Sequence, residues 1–254
     1  MEKRLLMKGP FFCICNHIIL WYNKKVNTRY GFLLADADNT LFDFPAGERL
    51  ALGETFEAFG LPTTQAAFAT YHDINEALWR KLERGEISPN KLRVQRFAEF
   101  LDVLRETRNA AEIAEFFVEA LGRQAILLPG AEQAVRRWAG RIPVAIVTNG
   151  IATVQRARIA HSPIADCFAA VIISEEVGVA KPHRRMVDAA LNAIGCTDPR
   201  RALLLGDSLE ADIAAAIHTG IDSCWFNPEQ SPNPTSFVPT HIVTSLDEVD
   251  ALLF

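Results

Sequence analysis

Two aspartates stand two residues apart in Asp36-Ala37-Asp38-Asn39-Thr40, directly after the apolar run Phe32-Leu33-Leu34-Ala35. One carboxylate of such a pair can attack a phosphorus atom while the other handles protons, and a divalent cation can hold both in place. Three later segments carry matching chemistry. Thr148-Asn149-Gly150 offers a hydroxyl and backbone N–H groups, with a glycine that permits close approach of phosphate oxygens. Lys181-Pro182 brings an ammonium group just ahead of a helix that the proline is expected to initiate, so that charge and helix N-terminus reinforce one another. Gly206-Asp207-Ser208-Leu209-Glu210-Ala211-Asp212 adds two more aspartates. A phosphate dianion about 4 Å from a carboxylate meets repulsion of several kcal/mol even at an effective dielectric of roughly 20. Positive charge must therefore sit beside the nucleophile: one unit from Lys181 and two from Mg²⁺, which takes one or two carboxylates plus waters and phosphate. Asp36 and Asp207 can be those carboxylates.

Each of these segments follows a short apolar run, the pattern of a buried strand. After Phe32–Ala35 the runs are 144–147, 171–173 and 202–205, followed by 223–226 and 242–244. Helical patterns at 131–139, 153–160, 184–194 and 209–219 alternate with them. Alternation of this kind predicts an α/β fold, a Rossmann-like three-layer core with a parallel sheet and helices on both faces. Ligands of such sheets bind beyond the carboxyl ends of the strands. Thr40 to Ala46 reads as a loop, and from Glu48 to about Gln124 the texture turns wholly helical. Leu50, Leu52, Phe56 and Phe59 mark one helix, and Phe68, Tyr71, Ile74, Leu78 and Leu82 a second. Leu92, Phe97, Phe100, Leu101 and Leu104 mark a third, with Ser88 as N-cap and Pro89 in first position. Ile113, Phe116, Phe117, Val118 and Leu121 mark a fourth, closed by Gly122. The expected organisation is a core of residues 30–46 and 125–254, a four-helix cap inserted at 47–124, and an extension at 1–29.

The order D-x-D-x-T, hydrophobic-T-N, K-P, G-D-x-x-x-x-D resembles the haloacid dehalogenase superfamily of phosphotransferases, in which a helical cap between the first two motifs is a known arrangement. The resemblance implies that Asp36 is the nucleophile and forms an aspartyl-phosphate. Asp38 would be general acid toward the leaving alcohol, then the base that activates water, and its backbone carbonyl would reach Mg²⁺. Thr148 and Asn149 would hold the transferring phosphoryl group, Lys181 would neutralise nucleophile and phosphate, and Asp207 would bind Mg²⁺. Asp212 would orient Lys181 or the metal's water shell, although a helix cap is the alternative for it. Thr40 and Gly206 would support the site. The run Ile172-Ile173-Ser174-Glu175-Glu176-Val177-Gly178-Val179-Ala180-Lys181-Pro182, with Leu78-Trp79 and Gly85-Glu86-Ile87-Ser88, is similar to the subgroup containing pyrimidine 5′-nucleotidases. That likeness implies hydrolysis of pyrimidine nucleoside monophosphates. A phosphomutase or a sugar-phosphate phosphatase of the same superfamily is the alternative, and a catalytically silent binding protein is the reading from another class. A dehalogenase is disfavoured by Asp38, because halide leaves without a proton donor.

The whole chain of 254 residues carries a net charge of −5 and is 49% apolar, which suits a globular enzyme and argues against a general nucleic-acid binder. The expected partner is a small phosphomonoester, with no nucleic-acid polymer and no membrane, in a monomer or homodimer. Cys13, Cys15, Cys167, Cys196 and Cys224 lack zinc-type spacing and read as free thiols of a cytoplasmic protein. Phe11 to Tyr22 is too short to span a bilayer and reads as an extension or as following an early start, Met7 being another candidate. His72 and His183 read as surface or packing residues, Trp79 as a packing residue on which a base could stack, and Leu41, Phe42 and Phe44 as an entrance below the cap. Glu175 and Glu176 read as structural acids accepting backbone hydrogen bonds.

Overall fold

The structure, a computed structural model, describes residues 29–254. The expectations for the extension, including Cys13 and Cys15, lie outside the described residues. Six strands form one fully parallel sheet: β1 (Phe32–Ala35), β2 (Val144–Thr148), β3 (Ala170–Ile173), β4 (Ala202–Gly206), β5 (Asp222–Phe226) and β6 (His241–Val243). Their spatial order is β3-β2-β1-β4-β5-β6, so the winding reverses between β1 and β4. In register, Ala35 pairs with Leu205, which places Asp36 and Asp207 side by side just beyond the carboxyl edge at the switch point.

Alternation along the strands divides the core into two layers. Leu33, Ala35, Val144, Ile146, Leu203 and Leu205 pack with Trp138 on one face, while Leu34, Ala145, Val147, Leu204, Met186 and Leu191 fill the other. Among the described residues Cys167, Cys196 and Cys224 are free thiols.

Between β1 and β2 run four helices: α1 (Phe44–Ala58), α2 (Gln65–Glu83), α3 (Pro89–Leu104) and α4 (Ala110–Arg123). They enclose their own core, in which the rings of Phe56 and Phe100 stack at 5.0 Å and Tyr71 meets Phe97 at 5.1 Å. Helix α1 starts within the stretch expected to be a loop. Asp43 accepts the N–H of Ala46 at 3.0 Å and Pro45 sits in the first turn, so capping begins the helix ahead of its apolar stripe. Gly122 does not close α4 but lies inside it. A Cβ there would come within 3.0 Å of that of Ala157, so the missing side chain lets α4 lie close on the core.

The core continues with α5 (Ala131–Ala139), α6 (Ala152–His161), the single turn α7 (Ser174–Val177), α8 (Arg185–Ala193), α9 (Ala214–Thr219) and α10 (Glu248–Leu253). A π-helical turn, Leu209–Ile213, precedes α9 where an uninterrupted helix was expected. The two crossings between core and bundle run side by side. Asp43 N–H donates to the Ile126 carbonyl at 3.0 Å, and Leu128 N–H to that of Leu41 at 2.9 Å. Leu41 and Phe42 are fully buried in the core and do not form an entrance; Phe44 lines the cavity between core and bundle.

Candidate active site

Four strand ends supply the floor of the site. Lys181, buried after α7, spends its three N–H bonds on Asp36 Oδ1 at 2.5 Å, Asp212 Oδ1 at 2.6 Å and the Val147 carbonyl at 2.6 Å. Pro182 does not start a helix. The Lys181–Pro182 peptide is cis and lies in a turn closed by His183 N–H on the Ala180 carbonyl, and α8 begins only at Arg185. No helix N-terminus reinforces the ammonium charge; the two carboxylates and the carbonyl hold it instead. Burial alone would lower the Lys181 pKa, but Asp212 and Asp36 hold it above its ordinary value.

Asp212 sits inside the π-helical turn and is 1% exposed. The cap of that turn is Ser208, which accepts Ala211 N–H at 3.1 Å, so Asp212 is free to take Lys181 on one oxygen and Ser208 N–H at 3.1 Å on the other. Gly206 permits this. A Cβ at that position would stand 2.2 Å from the Asp212 carboxyl carbon. Asp207 is steadied by Trp225 Nε1, which donates to its carbonyl at 2.8 Å, and by Thr40 Oγ1, which donates to its carboxylate at 3.4 Å.

Thr148 accepts Gly150 N–H at 3.1 Å, which leaves its hydroxyl proton free for an anionic ligand. Asn149 lines the cavity beside Thr148, and its side chain is engaged with the backbone of Lys181, accepting its N–H at 2.7 Å and donating to its carbonyl at 3.0 Å. An amide that satisfies both backbone groups of the next motif sets the position of Lys181.

Carboxylate oxygens of Asp36, Asp207 and Asp212 all lie within 4.8 Å of one another. Burial pushes Asp36 well above the usual carboxylate range against the pull of Lys181, and burial followed by Asp212 pushes Asp207 up to about 7. Three acids around one ammonium leave two negative charges uncompensated, the charge of one divalent cation, and hard carboxylate oxygens suit Mg²⁺. The donor set therefore fits the expected ion. The Asp38 carboxylate is not part of that cluster. It accepts from Gln155 Nε2 at 2.6 Å and pairs with Arg158 Nη1, both from α6.

A cavity of about 370 Å³ opens above the floor, within the usual range for small-molecule sites. A larger one of about 630 Å³ adjoins it and shares Trp79, Asn149 and Lys181. The roof comes from the bundle and holds residues the sequence reading passed over. Asn75 on α2 donates to Glu48 on α1 at 3.1 Å, and Arg96 Nη1 on α3 donates to Asn75 Oδ1 at 3.4 Å. Arg96 is 2% exposed, its Nε and Nη2 have no hydrogen-bond partner, and its guanidinium carbon lies 4.6 Å from the ring centre of Phe117. Burial raises the Glu48 pKa, with Arg96 opposing. His72, read as a surface or packing residue, lines the cavity, while His183 is exposed outside it. The signal for the roof was present as single polar residues at inward helical positions, such as Arg96 between Leu92 and Phe100.

Comparison with known proteins agrees with this geometry. A family model for haloacid dehalogenase-like hydrolases matches residues 33–220. The chain is 32% identical over 225 residues to pyrimidine 5′-nucleotidase YjjG of Escherichia coli (strain K12), covering 89% of this chain and 98% of that relative. It is 33% identical over 221 residues to pyrimidine 5′-nucleotidase PynA of Streptococcus pneumoniae (strain ATCC BAA-255 / R6), covering 87% and 93%. The magnesium-bound crystal structure of YfnB from Bacillus subtilis superposes with a TM-score of 0.82 at 32% identity, covering 88% of this chain and 99% of that one. With the four motifs on four strand ends of one parallel sheet and a helical bundle between the first two, the chain belongs to the haloacid dehalogenase-like hydrolases.

Proposed function

We propose that this protein hydrolyses pyrimidine nucleoside 5′-monophosphates in a Mg²⁺-dependent reaction through an aspartyl-phosphate on Asp36. The observation that carries the reading is the convergence of Asp36, Asp207 and Asp212, two of them bound to Lys181, beneath a cavity roofed by polar groups of the bundle. Asp36 attacks phosphorus in line, the bond from phosphorus to the 5′-oxygen breaks, and Asp38 gives that oxygen a proton. Asp38 then takes a proton from water, whose oxygen attacks phosphorus and releases Asp36. Lys181 balances charge on the nucleophile, and the Thr148 hydroxyl donates to a phosphoryl oxygen. Asp36, Asp207 and the Asp38 carbonyl would hold Mg²⁺, which when bound supplies electrostatic neutralisation of the phosphoryl group. Asp212 keeps Lys181 in place.

The size of the cavity and its roof favour a small leaving group bearing hydrogen-bond acceptors. Arg96 brings a cationic side chain to the cavity lining and Trp79 a flat face for a base. The two nucleotidases at about one-third identity support the pyrimidine assignment. A phosphate-release panel tests it: uridine and thymidine monophosphates are expected to exceed purine monophosphates by at least about tenfold in kcat/KM, a discrimination of roughly 1.4 kcal/mol. Equal turnover of purines and pyrimidines would overturn the substrate assignment. Asp36→Asn is expected to lower kcat by about 10⁴-fold or more with an unchanged circular-dichroism spectrum; retained hydrolysis would show that another group is the nucleophile.

A further inference from the structure

Both oxygens of the Asp38 carboxylate are taken by side chains that none of the four motifs contains. Gln155 and Arg158 stand three apart on α6 and occupy inward positions in a face otherwise made by Ile151, Val154 and Ile159. Arg158 is 1% exposed, and Asp38 is its one carboxylate partner among the described residues. A guanidinium buried so deeply against an apolar wall is costly unless its position does something for the charge it meets.

Its remaining contacts show what that position is tied to. Arg158 Nε donates to the carbonyl of Gln124 at 3.1 Å, in the segment that returns from the bundle to the core. Its guanidinium carbon lies 4.9 Å from the ring centre of Phe42 and 5.7 Å from that of Phe44, in the segment that leaves the core for the bundle. One side chain thus touches the acid and both crossings. The planar fork suits this, because separate N–H groups reach a carboxylate and a carbonyl at once, which a lysine ammonium on a flexible stem does not reproduce.

We propose that Arg158, assisted by Gln155, is a positioning residue that fixes the orientation of the Asp38 carboxylate and references it to the two chain crossings that carry the helical bundle. The acid is then aimed relative to the bundle that encloses the leaving group, and not only relative to the strand that bears Asp38. This rests on the assignment of Asp38 as the proton donor made above.

The test separates a positioning role from a merely structural one through the leaving group. In single turnovers with enzyme in excess, only the first chemical step releases the leaving group. A nucleoside 5′-oxygen needs a proton as it departs, whereas 4-nitrophenolate does not. Arg158→Lys and Gln155→Leu are expected to slow nucleoside release from the nucleoside monophosphate by about 10²-fold, within the range for loss of a general acid. Release of 4-nitrophenolate from 4-nitrophenyl phosphate should change less than about threefold. Arg158→Lys keeps a charge at the site and Gln155→Leu keeps Arg158, so a folding failure of one variant, seen by circular dichroism, leaves the other to decide. Equal slowing of both substrates, or no slowing of either, would overturn the proposal. Asp36→Asn and Asp38→Asn run beside them distinguish the two levels. If Asp36→Asn still turns over, or Asp38→Asn slows both leaving groups alike, the catalytic reading itself has failed. If those controls behave as assigned and the Arg158 and Gln155 variants show no leaving-group dependence, only the positioning role of Arg158 and Gln155 falls.

Discussion

On the floor of the cavity the buried cation is fully engaged: Lys181 gives its three N–H bonds to Asp36, Asp212 and the Val147 carbonyl. In the roof, Arg96 is buried to a similar depth but has two guanidinium nitrogens without a hydrogen-bond partner and lies against the ring of Phe117, 4.6 Å from its centre. The contrast follows from what each surface meets. A phosphoryl group looks the same in every phosphomonoester, so the floor gains from being preorganised at fixed strand ends. The leaving group is what varies, and the roof meets it with single polar side chains of the bundle, His72, Asn75 and Arg96 among them. A floor rich in carboxylates also carries excess negative charge that the protein alone does not neutralise.

Removing the divalent ion attacks the floor where its charge is least balanced and is expected to have the largest effect. Turnover of EDTA-treated protein should fall to background and return with Mg²⁺. Stability should acquire a pH dependence. Burial holds Asp207 up to about 7 against an ordinary 3.8, so the folded metal-free protein keeps a proton there that the unfolded chain has released. That contribution is complete below about pH 4 and lost as pH climbs through about 7. The melting temperature of the metal-free protein should therefore fall between about pH 5 and pH 8, and the increment produced by Mg²⁺ should grow over the same interval. A metal-free melting temperature that rises across that range would contradict the charge balance drawn for the floor.

Gly206→Ala tests the rigidity of the floor without touching a charge. The new methyl would overlap Asp212, which must shift and take Lys181 with it. A displacement on the order of 1 Å costs about 10²-fold in rate, and overpacking costs about 1–3 kcal/mol in stability. Steady-state kinetics and thermal melting read the two together. Normal kcat in this variant would mean that the floor is softer than its hydrogen bonds indicate.

In the roof, Arg96→Met should raise KM for the nucleotide about tenfold, the scale of a lost hydrogen bond to a charged group. Turnover of 4-nitrophenyl phosphate, which presents no base, should change less than about twofold. Equal losses on both substrates would place Arg96 in service of the phosphoryl group and erase the distinction between roof and floor.

The floor was legible in the sequence because its groups are contiguous. Asp36, Thr148 and Asp207 each stand at the end of an apolar run, so the strand announces the group at its end, whereas Lys181 follows Ile173 by eight residues and is marked by Pro182 beside it. Asp212 was legible as an acid at the right distance, but its place in a π-helical turn, where it takes Lys181, needed coordinates. The start of α1 was signalled by Asp43 and Pro45, a cap followed by a first-turn proline, although the apolar stripe begins later. The roof and the acid-holding pair are dispersed. Glu48, Asn75, Arg96, Gln155 and Arg158 appear singly on amphipathic helices, each at an inward position that an apolar residue would otherwise take. Periodicity counts such residues as noise in a hydrophobic face, and which of them meet depends on how four helices pack. Their joint chemistry becomes visible only in three dimensions.

The seam between roof and floor should show the smallest effect, with a definite asymmetry. Arg93 on α3 holds both oxygens of Glu175 at 2.8 Å, joining the bundle to the turn after β3. Glu175 also accepts the N–H of Ala152 at 2.7 Å, at the first residue of α6. The pair is only partly buried, with side chains 23% and 19% exposed, so Arg93→Ala should cost less than about 1 kcal/mol. Glu175→Ala removes the same ion pair and also the acid at the start of α6, which adds about 0.5–2 kcal/mol for a lost cap. Helix α6 carries Gln155 and Arg158, so the glutamate variant should slow release of a nucleoside more than the arginine variant does. Thermal melts and single-turnover rates of the two single variants and the double variant give the interaction between them. If Arg93→Ala proves as damaging as Glu175→Ala, the ion pair itself holds the two regions together. If only Glu175→Ala is damaging, the acid acts through α6, and the bundle is seated by its chain crossings and the packing of α4 on α6.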